Sequence, residues 1–451
     1  MILKSEPSHW RYSVGFKLLF SGVLILILLI PLSLVDGLVS ERQERQAAVI
    51  GEIGQIWGRS QLLVGPMIAI PYRTVWKDNK ATIHTEQQLA WFLPDELQIN
   101  ARVEPQIRHR GIFESIVYRL ELEVAGKFSP PDFTIWKIPA ADILWEGAIV
   151  AIPISDTRGI HEGQYFDWDG QTLEFLSGTG GETYFHQGLH VRLPISLSQE
   201  TRPHDFAFKL GLNGSESVQF VPIGKQTIVN LSSTWPDPSF RGEFLPVQRT
   251  VNDTGFTATW QISYLARSYP QQWYDTETWN QLDQTAFGVT LLIPVDFYQK
   301  TERAVKYGIL FLFLTFLAFF LFEILNTLRI HTFQYLLVGA ALILFFLLLL
   351  SLSEQIGFSL AYLLAASAVI LLVSTYANKI LASRPRALLL SSLLIGLYIY
   401  LYILLHLQDY ALLLGSVGLF LILAAVMYFT RNVDWYAVNL PARSPTAASK
   451  D

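Results

Sequence analysis

Apolar and polar positions follow two different rhythms along this chain. Unbroken apolar runs occupy Leu18 to Val35, Tyr307 to Leu325, Tyr335 to Leu352, Phe358 to Tyr376, Ala387 to Leu407 and Tyr410 to Phe429. Each is long enough for a helix, rising about 1.5 Å per residue, to cross about 30 Å of hydrocarbon. Five of the six crowd into the last third with short polar loops between them, which favours a membrane bundle over buried soluble helices. Between the first and second runs the texture changes to short β-rich stretches broken by Pro, Gly and Asp. The expected fold is therefore a polytopic α-helical membrane protein with six transmembrane helices. A large β-rich periplasmic domain, mainly β with some α, is inserted between helices 1 and 2.

The divisions follow from the same pattern. Residues 1–17 form a cytoplasmic N-terminus and 18–35 the first transmembrane helix, read as an uncleaved signal anchor because no small-x-small cleavage site follows it. Residues 36–302 form the β-rich domain, 303–429 a five-helix membrane bundle, and 430–451 a cytoplasmic tail. Val39 to Trp57 mixes charged and apolar positions as a helix leaving the membrane would, and Asp296 to Tyr307 is expected to run into the second span as one continuous helix.

Inside the domain, Gly, four residues, Ile or Leu, then Pro recurs at Gly65 to Pro71, Gly147 to Pro153, Gly188 to Pro194 and Gly288 to Pro294. The interiors are strand-like, and a closing Pro suits a strand end because it cannot donate to a ladder. Either the strings are related β-modules or strands simply end this way. Tyr165 to Phe175 reads as a hairpin turning on Asp169-Gly170. The densest local signal is Ser232 to Pro246, SSTWPDPSFRGEFLP, where two prolines bracket Asp237 and Gly242 permits a turn. Aromatic Trp235, Phe240 and Phe244 alternate with Asp237, Arg241 and Glu243, so one side can pack while the other meets solvent or a partner. Trp235, Asp237, Arg241 and Glu243 form the candidate contact surface, set against a purely bracing corner. A patch of Tyr264, Tyr269, Trp273, Tyr274 and Trp279 suits either a membrane interface or the core.

Charge adds sidedness. Residues 37–302 carry 21 Lys plus Arg against 31 Asp plus Glu, a net of −10, which argues against nucleic acid as a partner. Lys4, Arg11 and Lys17, then Arg329, then Lys379, Arg384 and Arg386, then Arg431, Arg443 and Lys450 fall on one side of the six spans; the short loops near Glu354 and Asp409 carry no basic residue. The positive-inside rule places both termini in the cytoplasm and the domain beyond the membrane. Cysteine is absent from the 451 residues, and an exported domain without disulfides is compatible with a bacterial periplasm.

Catalytic signatures are missing: there is no Gly-x-Ser-x-Gly elbow, no His-Glu-x-x-His helix and no phosphate-binding Gly-x4-Gly-Lys-Ser/Thr loop. His186 and His190 have i, i+4 spacing, but in a strand this separates them too far for easy shared ligation. Asp167, Asp169 and Gly170 resemble part of a calcium loop, yet Tyr165 and Leu176 stand where its first and twelfth positions need carboxylates. Glu323, Glu354, His406 and Asp409 lie near span ends, where they can reach water. Asp156 and Arg158 are placed to pair. No cofactor or metal is expected, and the chain is expected to be non-enzymatic.

The chain resembles the CreD family of bacterial inner-membrane cell envelope integrity proteins. LVGPMIAIP at 63–71, WFLP at 91–94, SDTRGI at 155–160, STWPDPSFRGEFLP at 233–246, GFTATW at 255–260, TERAVKYGIL at 301–310, QYLLVG at 334–339, SLSEQIGF at 351–358, ALLLGS at 411–416 and TRNVDWY at 430–436 carry the resemblance. It implies a multi-pass protein of the bacterial cell inner membrane, linked to envelope stress and often associated with a two-component sensor-regulator system, and it supplies no catalytic residue. The expected partners are the lipid bilayer and, through the exported domain, envelope proteins or glycans. Two alternatives stand beside this reading: a transport or channel component with a separate energy source, and a periplasmic hydrolase without a recognisable motif.

Overall fold

The structure, a computed structural model, describes residues 14–77, 83–161, 165–180, 187–194, 202–274, 277–292, 297–325, 330–381, 383–407 and 410–431. It divides into two compact units, Gln46–Pro294 and Met1–Arg45 with Val295–Asp451. The division falls inside the first helix, α1 (Val14–Trp57), in accord with the helix expected beyond the first apolar run.

The first of these units is β-rich. In chain order its strands are β1 (Gln61–Leu63), β2 (Met67–Lys77), β3 (Ile83–Phe92), β4 (Glu96–Arg110), β5 (Phe113–Phe128), β6 (Ile149–Pro153), β7 (Tyr165–Trp168), β8 (Gln171–Glu174), β9 (Leu176–Ser177), β10 (Gly188–Arg192), β11 (His204–Ser215), β12 (Ser217–Phe220), β13 (Gln226–Ser233), β14 (Pro238–Gly242), β15 (Gln248–Asn252), β16 (Gly255–Ser263), β17 (Gln272–Trp273) and β18 (Phe287–Leu291), with the short helix α2 (Thr278–Gln284) before the last. They form three sheets: β1-β12-β18-β14, β17-β3-β2-β6-β10-β9, and an eight-stranded sheet ordered β15-β16-β13-β4-β5-β11-β7-β8.

Period-2 patterning decides which side of each strand is buried. In β4, Leu97, Ile99, Ala101 and Val103 are buried while Glu96, Gln98, Asn100 and Arg102 are exposed; β11 repeats this with Phe206, Phe208 and Leu210 inside, and β16 with Phe256, Ala258 and Trp260. These inner faces belong to one core shared by all three sheets. In β6 all five residues are buried, as expected of a strand covered on both faces. Tyr269, Trp273 and Trp279 join that core, with Trp279 edge-on to Trp91 and Trp273, while Tyr264 and Tyr274 are exposed. Of the two readings of this patch, the core holds for Tyr269, Trp273 and Trp279.

Three of the four Gly-to-Pro strings lie side by side as β2, β6 and β10 of the six-stranded sheet, and the fourth supplies β18 of another sheet. Pro71 lies within β2 rather than at its end, because the β6 pairing covers only Met67 to Ala69 and at residue 71 the Ile143-Leu144 segment takes over, with the Leu144 N–H donating to the Pro71 carbonyl oxygen. The hairpin on Asp169-Gly170 forms as expected, with φ of 50° and 83° at the two turn residues.

The second unit holds α3 (Phe297–Lys306), α4 (Gly308–Leu325), α5 (Thr332–Ile356), α6 (Phe358–Ile380), α7 (Arg384–His406) and α8 (Ala411–Thr430) with the first part of α1. By length and composition α1, α5, α6, α7 and α8 can each cross a membrane, and α3 with α4 make a sixth crossing if taken together. The continuous helix expected into the second span is broken at Tyr307, where α3 and α4 meet at 41°. The break separates chemistries: α3 is strongly amphipathic and α4 almost wholly apolar. Phe311, Phe345, Tyr362 and Tyr398 form an aromatic centre, with the Tyr362 hydroxyl donating to the Tyr398 carbonyl oxygen at 2.6 Å. By contrast α8 is exposed along most of its surface.

Glu354, expected in a loop, lies inside α5 with its side chain only 11% exposed; it pairs with Arg42 of α1 at 3.7 Å and accepts from the Tyr298 hydroxyl of α3 at 3.0 Å. Arg303 of α3 donates to the Leu404 carbonyl oxygen at the end of α7. In its last turn α4 places Glu323 to accept from the Ile330 N–H and the Tyr335 hydroxyl. The basic N-terminus before residue 14, the tail beyond Arg431, Arg329 and Asp409 lie outside the described residues.

Candidate functional site

The eight-stranded sheet turns its inner side chains to the core and presents the alternate set to solvent. The register aligns residues from neighbouring strands in rows across the strand direction. Thr259 of β16, Asn230 of β13, Asn100 of β4, Glu123 of β5 and Lys209 of β11 form one row. The Thr259 hydroxyl donates to Asn230 Oδ1 at 2.9 Å, Asn230 Nδ2 donates to Asn100 Oδ1 at 2.9 Å, and Lys209 Nζ donates to Glu123. Such cross-strand pairs contribute about 0.2–1 kcal/mol each, so the row stiffens the sheet while leaving much of its hydrogen-bonding capacity to solvent. The neighbouring row is flat: Gln98, Ala125 and Ala207 follow one another on β4, β5 and β11, with Asp167 of β7 beyond. A third row sets Glu96 beside Lys127 and Lys127 beside Asp205, the last two 3.5 Å apart.

The low row lies between the two taller ones. Two depressions of about 370 and 610 Å³ along it share Gln98 and Ala125, and the second reaches Tyr165, which is 61% exposed. A further depression of about 700 Å³ includes Arg102, Glu121, His161 and Ser232. The alternation that creates the face is visible within each strand, but its rows depend on which strands become neighbours; β4 and β13 pair in parallel although well over a hundred residues separate them.

Ser232 to Pro246 carries the chain from this sheet to the four-stranded one. Its middle becomes β14, an edge strand paired with β18 from Pro238–Leu291 to Gly242–Phe287. Trp235 is half-buried and donates its indole N–H to the Leu292 carbonyl oxygen at 2.9 Å; the Leu292 N–H donates to the Asp237 carbonyl oxygen at 3.2 Å. Phe240 packs edge-on against Phe256 and Trp260, and the Trp260 indole donates to the Phe244 carbonyl oxygen. Arg241 and Glu243 are exposed, Asp237 is half-buried, and Arg241 Nε donates to Ser239 Oγ at 3.3 Å. The four candidate residues thus line one edge strand and its lead-in, with Trp235 and the backbone of Asp237 bracing it and the charged tips of Arg241 and Glu243 facing out.

The other candidate groups are engaged structurally. Asp156 is 2% exposed at its side chain and accepts from the backbone N–H groups of Arg59 and Arg158 at 3.0 and 3.1 Å, and from Arg158 Nε and Nη2 at 2.9 and 2.7 Å. Burial pushes this carboxyl up, but the Arg158 guanidinium and the two N–H groups outweigh it and hold the pKa down at about 2. Arg158 also donates to the Gln55 carbonyl oxygen in the last turn of α1, a favourable place for a cation. Asp169 lies 2.7 Å from Nδ1 of buried His204 and accepts from the Asp205 N–H; burial raises its pKa, and these hydrogen bonds with the Arg202 charge bring it below the usual carboxylate range. Asp167 accepts from the Gly170 N–H at 3.0 Å, closing the hairpin. His190 Nδ1 lies 2.8 Å from the Gly178 carbonyl oxygen, and His186 lies outside the described residues. Among the described residues no group of three or more His, Cys, Asp or Glu side chains is placed to hold a metal ion.

A long apolar first helix, a large three-sheet domain and about five further apolar helices define a polytopic membrane protein with a β-rich domain set between its first and second membrane passes. The profile of the family described as Inner membrane protein CreD matches residues 13–436. The chain is also 35% identical over 445 residues to Inner membrane protein CreD of Escherichia coli (strain K12), covering 98% of this chain and 96% of that protein. It belongs to the CreD family of inner membrane proteins.

Proposed function

We propose that this protein acts without catalysing a reaction, as an envelope-integrity component of the inner membrane whose β-rich domain lies in the periplasm and contacts envelope proteins or glycans. The carrying observation is the outward face of the eight-stranded sheet, where rows of exposed amide, hydroxyl and compensated charged side chains run across five adjacent strands. Such a face offers many directional contacts and little apolar area, which suits a polar partner. The net charge of −10 over residues 37–302 disfavours polyanions there. Arg241 and Glu243 add an exposed charged margin on β14. Both termini are assigned to the cytoplasm on the strength of the basic short loops.

The test is photocrosslinking in intact cells from positions 102, 257 and 241, with what is captured identified. Capture of the same envelope component from 102 and 257 is expected; capture of nothing but the protein itself would refute the contact reading. Alkaline phosphatase fused after Arg431 should be inactive and, inserted at the Asp253-Thr254 turn, active; the reverse pattern overturns the orientation.

A further inference from the structure

We propose that the low row of the eight-stranded sheet is a binding trough for a neutral, unbranched oligosaccharide strand lying across the β-strands; the inference rests on the contact reading above and names the ligand. Three properties of the row point to this chemistry. Its floor is flat and thinly covered because Ala125 and Ala207, both exposed, stand side by side where longer side chains flank them in the rows above and below. A ring face can therefore approach the sheet closely. The lysines along the walls are already matched, Lys209 with Glu123 and Lys127 with Asp205, while Glu96 and the half-buried Asp167 leave the trough with an excess of negative charge. A polyanion would have to break these pairs and meet that excess, whereas hydroxyl groups can share them. The remaining lining includes two amides and a phenol, Gln98 at the floor, Asn100 on one wall and Tyr165 exposed in the same depression, with Thr172 and Asp167 beside the last. Amides donate and accept at once, as sugar hydroxyl and acetamido groups require, and a phenol ring supplies a platform for a pyranose face.

The spacing also fits. Neighbouring strands lie about 4.8 Å apart, and each pyranose unit of an extended β-linked chain advances by a similar length, so successive sugars meet the same row on successive strands. An extended peptide repeats on a shorter step and would fall out of phase with the row.

The experiment uses the full chain in lipid nanodiscs, titrated with chitohexaose and, as an anionic comparator, hexagalacturonate. Wild type is expected to bind chitohexaose saturably with Kd below the millimolar range, to change affinity less than about twofold between low and high salt, and to bind the acidic hexamer at least about tenfold more weakly. Ala207→Ile fills the floor with a residue that favours strands, and Tyr165→Ala removes the platform. Each should weaken chitohexaose binding about tenfold, or about 1.4 kcal/mol, with the thermal midpoint unchanged. No saturable binding by wild type, equal or tighter binding of the acidic hexamer, or undiminished binding by folded Ala207→Ile would overturn the proposal. If chitohexaose fails while crosslinking from positions 102 and 257 still captures a protein, the ligand class falls and the contact reading stands.

Discussion

Asp156→Asn should destabilise the β-rich unit by an amount that depends on pH. The carboxylate takes four hydrogen bonds through two oxygens, from the Arg59 N–H and from three donors of Arg158. Asparagine keeps one acceptor oxygen and no charge, so at least one charge-assisted bond is lost, costing about 1.5–3 kcal/mol. The displaced pKa gives an independent bound. A fall from 3.8 to about 2 corresponds to roughly 2 kcal/mol, reduced to roughly 1 because the partner Arg158 is 49% exposed and screened by water. A total near 2 kcal/mol implies a drop of about 6 °C for a unit of this size. Ten of the chain's 12 tryptophans lie between residues 46 and 294, so intrinsic fluorescence on heating reads this unit in the intact protein. Because the folded pKa is depressed, the stabilisation is complete above the unfolded value and is lost as pH falls through the folded one. The gap between wild type and variant should hold from pH 7 to pH 5 and its electrostatic part should shrink by about half at pH 3. A gap under about 2 °C at pH 7, or one that widens on acidification, would refute the clamp assigned to Asp156.

Three other substitutions probe separate features. Gly242→Ala places a Cβ against the Ala286 carbonyl oxygen at a φ of +106°, so it should cost about 2 kcal/mol or more and increase proteolysis within residues 234–247; an unchanged midpoint and cleavage pattern would contradict the close approach of β14 to β18. Trp235→Phe deletes the indole N–H that reaches the Leu292 carbonyl and part of the ring surface packed on the core, and should lower stability by about 1–2 kcal/mol, read by chemical denaturation. Tyr298→Phe and Glu354→Gln, alone and together, should couple by about 0.6–1 kcal/mol in a double-mutant cycle of the detergent-solubilised protein; additive effects would mean that the Tyr298–Glu354 bond carries no stability.

Much of the architecture is legible in local patterns. The apolar runs mark the membrane helices, Asp169-Gly170 marks its hairpin, and the mixed stretch after Val39 marks the emerging part of α1. What local patterns conceal depends on partners distant in the chain. Glu354 reads as a loop residue until Arg42 and Tyr298 are brought to it; Tyr269, Trp273 and Trp279 suit interface and core alike until the core closes around them. The break at Tyr307 escapes the pattern because hydropathy marks where the amphipathic segment gives way to the apolar one, but both favour helix and the angle between them is not written in either. The low row of the outward face escapes for a related reason: an alanine on a strand has no meaning until its neighbours across the sheet are known.

The loose seating of α8 bears on how the last membrane pass evolves. It is tied to α7 by the Tyr400 hydroxyl, which donates to the Leu414 carbonyl oxygen, while Leu412, Phe420 and Leu423 are 87%, 69% and 57% exposed. A helix that meets lipid around most of its circumference is selected for hydrophobic thickness more than for shape. Its apolar residues should interchange freely at constant length, and its span should track the bilayer of the host membrane, with tight sequence demands confined to the narrow line that touches α7.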